Sequence, residues 1–487
     1  MQSNSNLAFI TKLKIALVHY HLRAGGVTKV ISNQCRALVA LGYEPLIFSA
    51  GSTPSEFPPI TQIEVPLLDY LSSPPDQPVN LYQTLLLHCE KHWGTAPDLW
   101  HLHNHSLGKN ILFPQLVRDL AESQIPLILQ PHDFAEDNRP TNYPLLVGEK
   151  IHPTAPQIHY AFINNRDRTF LETVGLKKEE SHHLPNTVSP PPVSPNITSL
   201  NDENLVLYPV RGIRRKNLGE AVLLAALAPS NTRFAISLAP ENPIWHKVHQ
   251  DWEAFAREHQ LPIEFAVTDQ VPPYPNAEAN YQTWLKAATH LLTTSIAEGF
   301  GLTFLEPIAL QKPLLGRDLP EITQDFREQG INPGRFYEKI PIPLEFLDLN
   351  LLRNDFEHQV QNSYHLYQKE LRAKELEAGW QALIAGGEVD FGALPETFQQ
   401  DLITRSLAQE RAPFASLRKW LAHTLSETLP TATPDSLSQY SPSQAQQDLS
   451  QLYANATSSP REAPSWLSKD KVLAQYLSPS RFHFLRS

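Results

Sequence analysis

Four cations crowd into seven residues at Arg211-Gly-Ile-Arg-Arg-Lys-Asn217. Arg211, Arg214, Arg215 and Lys216 follow a short apolar run, which places them at the carboxyl end of a strand, where open α/β sheets bind ligands. Arg forks grip phosphate oxygens and Lys adds a point charge, so a diphosphate is the simplest partner; a solvated basic loop is the alternative. A second motif is Ser295-Ile-Ala-Glu-Gly-Phe-Gly-Leu-Thr-Phe-Leu-Glu306, with Glu298 before a glycine-rich turn and Glu306 inside the helix that follows. The turn offers unpaired N–H groups to an anion. Glu306, roughly 8–12 Å along the helix, suits a hydroxyl pair such as a ribose better than a phosphate. Gly25-Gly26 also lies between a strand and a helix, and reads as an anion-approach loop or as a tight βα turn.

Histidines form the third group. His101, His103 and His105 alternate, so on one strand they would share a face. No Asp, Glu or Cys completes a ligand set at recognisable spacing, and no metal is expected. His132-Asp133 follows another apolar run, again at a strand's carboxyl end. The chain contains no G-x-G-x-x-G fingerprint, no G-x-x-x-x-G-K-[ST] loop, no D-x-D pair and no G-x-S-x-G elbow.

The elements that must hold these residues follow one rhythm. Lys14–Tyr20 reads as a strand, Val27–Leu41 as a helix with apolar positions 27, 30, 31, 35, 38 and 39, and Glu44–Phe48 as the next strand beyond Gly42. Such a βαβ unit requires a parallel sheet. Strands at 99–103, 126–130 and 159–163 and helices at 112–122 and 166–174 extend the pattern. The proline-rich stretch from Pro185 to Pro195 reads as a linker. The alternation then restarts, with strands at 204–210, 233–238, 263–267 and 290–294 and helices at 218–228, 281–288 and 301–311. Beyond it, 355–384 reads as one long polar helix, 394–425 as largely helical, and 426–465 as a Ser/Pro-rich stretch that is a flexible linker or partly ordered loops.

The chain has 487 residues, too many for one core. Its net charge of −11, from 40 Lys+Arg against 51 Asp+Glu, argues against nucleic acid as partner. Cys35 and Cys89 cannot build a disulfide framework. The chain opens without a charged-then-apolar leader, and no apolar run approaches the ~20 residues of a membrane span. A cytoplasmic enzyme is the expectation.

Together the motifs resemble the retaining, nucleotide-sugar-dependent glycosyltransferases of family four, relatives of sucrose synthase and sucrose-phosphate synthase. The likeness covers about 13–327. Val18-His-Tyr-His-Leu-Arg-Ala-Gly-Gly-Val-Thr resembles the family's first glycine-rich loop, Asp98-Leu-Trp-His-Leu-His-Asn its D-v-v-H-x-H strand, and Gln130-Pro-His-Asp its t-x-H-d segment. Leu184-Pro-Asn-Thr-Val resembles the entry to the interdomain linker, with Thr187 where Gly is usual. Arg211…Lys216-Asn217 is similar to R-x-x-x-K-K-N, and Glu298-Gly-Phe-Gly…Glu306 to the E-x7-E signature.

The resemblance implies a GT-B fold: two Rossmann-like doubly wound parallel-sheet domains facing a cleft, with a helical C-terminal extension. Residues 1–195 would be the acceptor domain, 196–345 the donor domain and 346–487 the extension. Glu306 would bind the donor ribose; Glu298 and the backbone of Gly299, Phe300, Gly301 and Leu302 the sugar and phosphates. Arg211 and Lys216 would stabilise the leaving diphosphate without a metal, and Arg215 would be among the donor-binding residues. Gly25 and Gly26 would approach it from the other domain. His132 would contact the sugar, with His103, His105 and Asp133 toward the acceptor. No cofactor is implied; the co-substrate is a nucleotide-diphosphate sugar, a UDP-sugar before others. The stretch Gly316-Arg-Asp-Leu-Pro-Glu-Ile322 after the signature is not the common small-residue, glycine-rich version, so Arg317 or Asp318 is expected to read a less common donor or acceptor. Residues 1–195 carry 14 cations and 17 anions, a net of −3, which favours a soluble acceptor over a lipid. A catalytically silent sugar-nucleotide scaffold and a nucleotide-sugar epimerase are the rival readings.

Overall fold

The computed structural model describes residues 12–23, 25–55, 57–188, 203–268, 270–273, 280–408, 413–427 and 432–486. Of the proline linker, 189–195 lies outside them. The described residues fall into two compact units.

Unit 1 contains residues up to Thr187 together with Gln439–Tyr476. Its strands are β1 (Lys14–His21), β2 (Glu44–Ala50), β3 (Thr61–Glu64), β4 (Leu99–His103), β5 (Leu127–Gln130), β7 (Ile158–Phe162) and β8 (Ser181–His183), with a short β6 (Pro153–Thr154) off the main sheet. Helices α1 (Gly26–Ala40), α2 (Leu81–Trp93), α3 (Phe113–Glu122) and α4 (Asn165–Thr173) connect them. The sheet runs β3-β2-β1-β4-β5-β7-β8 with every pair parallel. Its central strands carry near-continuous apolar runs because helices cover both faces; β1 buries Ile15, Ala16, Leu17 and Val18 completely.

Unit 2 contains Val188–Ser438 and Leu477–Ser487. It builds β9 (Asn204–Arg211), β10 (Thr232–Leu238), β11 (Ile263–Glu264), β12 (His290–Thr293), β13 (Leu314–Arg317) and β14 (Arg335–Tyr337) into a parallel sheet of order β11-β10-β9-β12-β13-β14. Helices α5 (Leu218–Leu227), α6 (His246–Glu258), α7 (Tyr281–Ala287), α8 (Leu302–Ala309) and α9 (Pro320–Arg327) complete the winding. In both sheets the strand order reverses beside the unit's first strand, between β1 and β4 and between β9 and β12. Such switch points are where doubly wound sheets take ligands, beyond the strands' carboxyl ends. Two parallel-sheet α/β units are the expected fold class.

Residues 346–487 are shared between the units. Helices α10 (Leu349–Leu366), α11 (Ala373–Leu383), α12 (Glu396–Leu407) and α13 (Ala415–Ser426) join the core of unit 2. The single helix expected over 355–384 is two, because the buried Tyr367 ends α10 and Gln368 turns the chain at φ +56°. The Ser/Pro-rich stretch contains α14 (Pro442–Ser458), capped by Ser441, which accepts from the Gln444 N–H at 3.2 Å. Leu449, Leu452, Tyr453 and Ala456, at helical spacing, join Ile15, Leu17, Ile31 and Ile47 in a unit 1 cluster. Ser465–Trp466 pairs antiparallel with β6, and α15 (Lys469–Tyr476) adds Val472 and Tyr476 to the other unit 1 cluster. The last residues return to unit 2, where Phe484 is buried.

Candidate functional site

In unit 2 the basic loop and the glycine-rich turn leave adjacent strand ends, since β9 pairs with β12 through Val206–His290 and Leu207–Leu291. Hydrogen bonds lock the two loops together. The Ile296 N–H donates to the Arg215 carbonyl at 3.1 Å, and Thr294 Oγ1 donates to the Lys216 carbonyl at 2.9 Å. The Tyr208 hydroxyl reaches the same carbonyl at 3.1 Å and Ser295 Oγ at 2.8 Å. Asn217 then takes φ +50°, ending the loop and starting α5.

This scaffold brings Lys216 Nζ onto Glu298 Oε1, with Arg215 Nη1 at 3.5 Å from Glu298 Oε2 and 2.7 Å from the Ala297 carbonyl. Both members of the Lys216–Glu298 pair are nearly buried. Burial raises a carboxyl's pKa, but Lys216 and then Arg215 overcome it and hold Glu298 below its usual range. For Lys216 the balance is opposite: burial pulls the ammonium down more than Glu298 restores. Losing water costs the lysine more than its one partner returns, so a further anion at this point would be welcomed by the cation.

The remaining cations are placed differently. Arg214 turns away and forks onto Glu396 of α12, at 2.5 Å and 2.8 Å. Arg211 is half exposed and meets the exposed Glu241 at 2.5 Å, a surface pair worth about 0–1 kcal/mol and easily exchanged. Gly301 caps α8 at φ +92°, and a Cβ there would come within 2.6 Å of Ile322 Cγ2, so glycine is required. Leu302 opens the helix behind Gly299 and Gly301. The Phe300 ring is buried edge-on to Phe326, 6.0 Å between centroids, leaving only its backbone for a ligand. Glu306 lies half-buried within α8 and within electrostatic reach of Tyr281, whose hydroxyl is pushed up to about 12 by burial and then by Glu306.

Arg317 and Asp318 are buried and engaged within unit 2. All five guanidinium N–H donors of Arg317 are engaged, by Glu220, Asp390 and the Glu338 carbonyl, at 2.5 to 3.1 Å. Asp318 accepts from Thr323 Oγ1 at 2.6 Å and Arg327 Nη2 at 2.7 Å. Both are 4% exposed; they are internal charges of unit 2, which corrects the sequence expectation.

In unit 1 the histidines gather at the second switch point. β4 ends at His103 because Asn104 turns to φ +56°, so the expected row of three is a row of two. His101 and His103 stack at 4.4 Å, and His103 Nδ1 lies 3.1 Å from His132 Nε2. His105 turns instead to His152 at 3.3 Å, which reaches Glu136 at 3.0 Å. Burial drives the His132 pKa to about 4, against the opposing pull of Asp133, and takes His19 and His101 to about 3. These imidazoles are neutral at pH 7 and act through hydrogen bonds. Among the described residues no group of three His, Cys, Asp or Glu side chains is placed to hold a metal ion.

Asn104, quoted from the sequence but given no role there, fixes the His132 loop: its Oδ1 accepts from the His132 N–H at 2.7 Å and the Asp133 N–H at 3.1 Å. Nothing in a lone Asn after H-x-H announces that role. Asp133 is further held by Arg139 at 2.5 Å. At the head of α1, Gly25 has extended backbone and a Cβ on Gly26 would meet nothing within 4 Å. Neither conformation nor packing demands glycine there, and the helix N-terminus stays open to a close approach.

No family model matches the chain. It is 24% identical over 397 residues to a mannosylglucosyl-3-phosphoglycerate synthase of Petrotoga mobilis, covering 72% of this chain and 75% of that protein. It is similar to the structure of sucrose-phosphate synthase from Thermosynechococcus elongatus, with TM-score 0.49 and 15% identity over 91% of this chain and 100% of that one. A glycosyltransferase from Rickettsia africae gives TM-score 0.48 and 14% identity over 92% and 99%. Among the described residues no helix is long and apolar enough to cross a membrane.

Proposed function

We propose that this chain is a glycosyltransferase that moves a hexose from a nucleotide-diphosphate sugar to a hydroxyl of a soluble small molecule or glycan, with retention and without a metal, in the cytoplasm. The observation that carries the reading is Lys216 buried on Glu298 at the switch point of a doubly wound sheet. The likeness to a mannosylglucosyl-3-phosphoglycerate synthase over three quarters of that protein supports the same class.

On this reading Lys216, Arg215 and the loosely held Arg211 neutralise the diphosphate as it leaves, electrostatic catalysis by groups already in place. Glu298 orients Lys216 and accepts from sugar hydroxyls. The backbone of Gly299–Leu302 at the head of α8 meets phosphate or sugar oxygens, and Glu306 takes the ribose hydroxyls. Gly25 and Gly26 open α1 to a phosphate. His132, neutral and held through Asn104, offers the sugar a hydrogen bond rather than a charge. No side chain is assigned as a covalent nucleophile.

A thermal-shift panel of uridine, guanosine and adenosine diphosphates and their hexose conjugates, without metal, tests the donor site. At about 100 times its Kd a ligand adds about 2.7 kcal/mol, and we expect one base family, uridine first, to raise Tm in wild type and not in Lys216→Ala. No shift from any nucleotide, with or without magnesium, would sink the reading.

A further inference from the structure

At the carboxyl edge of the unit 1 sheet, Tyr70 stands 46% exposed with two cations near its ring. The Arg23 guanidinium lies 5.9 Å from its ring centroid and Lys109 Nζ 5.4 Å. The loops are held in register by backbone bonds, Leu71 N–H to the Lys109 carbonyl at 2.9 Å and Ile111 N–H to the Leu71 carbonyl at 2.9 Å. His21 packs edge-on to the same ring at 4.9 Å. The patch adjoins the His132 loop, since Asp133 is among the charges acting on the Tyr70 hydroxyl.

The charges here do not cancel. Asp69 pairs with one nitrogen of Arg23, and Asp133 with Arg139. Among the described residues Lys109 Nζ has no carboxylate partner and makes no hydrogen bond. Its ammonium is disfavoured by partial burial and then by Arg139. An unpaired, partly desolvated lysine beside two arginines, in a chain of net charge −11, is a feature that an anionic ligand would relieve. The partly exposed phenol beside the cations adds a polar tip that can reach a hydroxyl of a small polyol.

We propose that Arg23, Tyr70 and Lys109 seat a carboxylate or phosphate of the acceptor, so that the acceptor is a hydroxyl compound bearing an anionic group. The assignment rests on unit 1 being the acceptor half of the glycosyltransferase proposed above.

Calorimetric titration of the full chain with glycerate, glycerol 3-phosphate and glycerol tests it, the first two separating a carboxylate from a phosphate. We expect at least one anion to bind while glycerol does not, and Lys109→Gln and Arg23→Gln each to weaken that binding at least tenfold. Both side chains are partly exposed, so neither variant threatens the fold. Failure of both anions to bind, or unchanged binding in both variants, overturns the assignment. UDP titrated into the same wild-type and Lys216→Ala preparations reports the donor site separately. If anions bind through Lys109 while UDP does not bind, the anion seat stands and the nucleotide-sugar reading falls.

Discussion

Two buried ion pairs in unit 2 serve different ends, and their partners explain why. Arg317 is saturated: Glu220, Asp390 and a carbonyl take all five of its donors, and Tyr337 donates to Glu220 at 2.7 Å. Burial alone would raise the Asp390 carboxyl, and Arg317 reverses this. Removing the arginine leaves Glu220 with no exposure and no compensating charge, so Arg317→Ala should cost about 3–5 kcal/mol of unfolding free energy, read by urea denaturation. Nucleotide affinity of the folded fraction should not change. Lys216 and Glu298, by contrast, have one strong partner each. Because the Glu298 carboxyl is held below its usual 4.5, its ionised form contributes stability above about pH 4.5 that is lost as pH falls through the lower folded value. Glu298→Gln should therefore melt below wild type at pH 7, with the gap closing as the pH is lowered past 4.5.

At the scale of elements, many strands and helix α1 were legible because apolar runs and glycine stops are local signals, and β1, α1, β2 and β4 fall within a residue or two of expectation; the short β3, β8, β13 and β14 and helices α2, α6 and α9 were not read. The glycine turn after Glu298, with Gly301 capping α8, was legible for the same reason. Partners were not: Arg317 meets Glu220 across 97 residues and Arg214 meets Glu396 across 182, separations that no spacing rule reaches. Hence Arg317 read as a specificity residue and Arg214 as a phosphate ligand, where the fold uses one as a core charge and anchors the other on α12. Helix α14 was hidden by composition, its few apolar residues lying among Ser, Gln and Ala, yet those residues sit at 449, 452, 453 and 456 on one buried face. Tyr453 also gives His101 a hydroxyl partner at 2.7 Å. Leu449→Ala, at a fully buried site, should destabilise unit 1 by about 2–5 kcal/mol, seen as an earlier transition in thermal or urea unfolding.

For the whole molecule, the chain serves unit 1, then unit 2, then unit 1 again through 439–476, and ends on unit 2. The tail is thus part of both cores rather than an appendage. Each unit contributes a switch point with its own chemistry: a charged one in unit 2, built on Lys216 and Glu298, and a neutral one in unit 1, built on His103 and His132. The proposed division of labour follows, with the diphosphate on the charged side and a hydroxyl compound with an anionic handle near the neutral one. The most direct measurement is turnover. The full chain is incubated with UDP-, GDP- and ADP-hexoses and a mixed pool of hydroxy acids and polyol phosphates, and released nucleoside diphosphate and glycosylated product are followed by mass spectrometry. The account predicts that one donor is consumed and one product formed, and that Lys216→Ala slows this by about 10²-fold or more. Consumption of no donor, or equal turnover by Lys216→Ala, would contradict it.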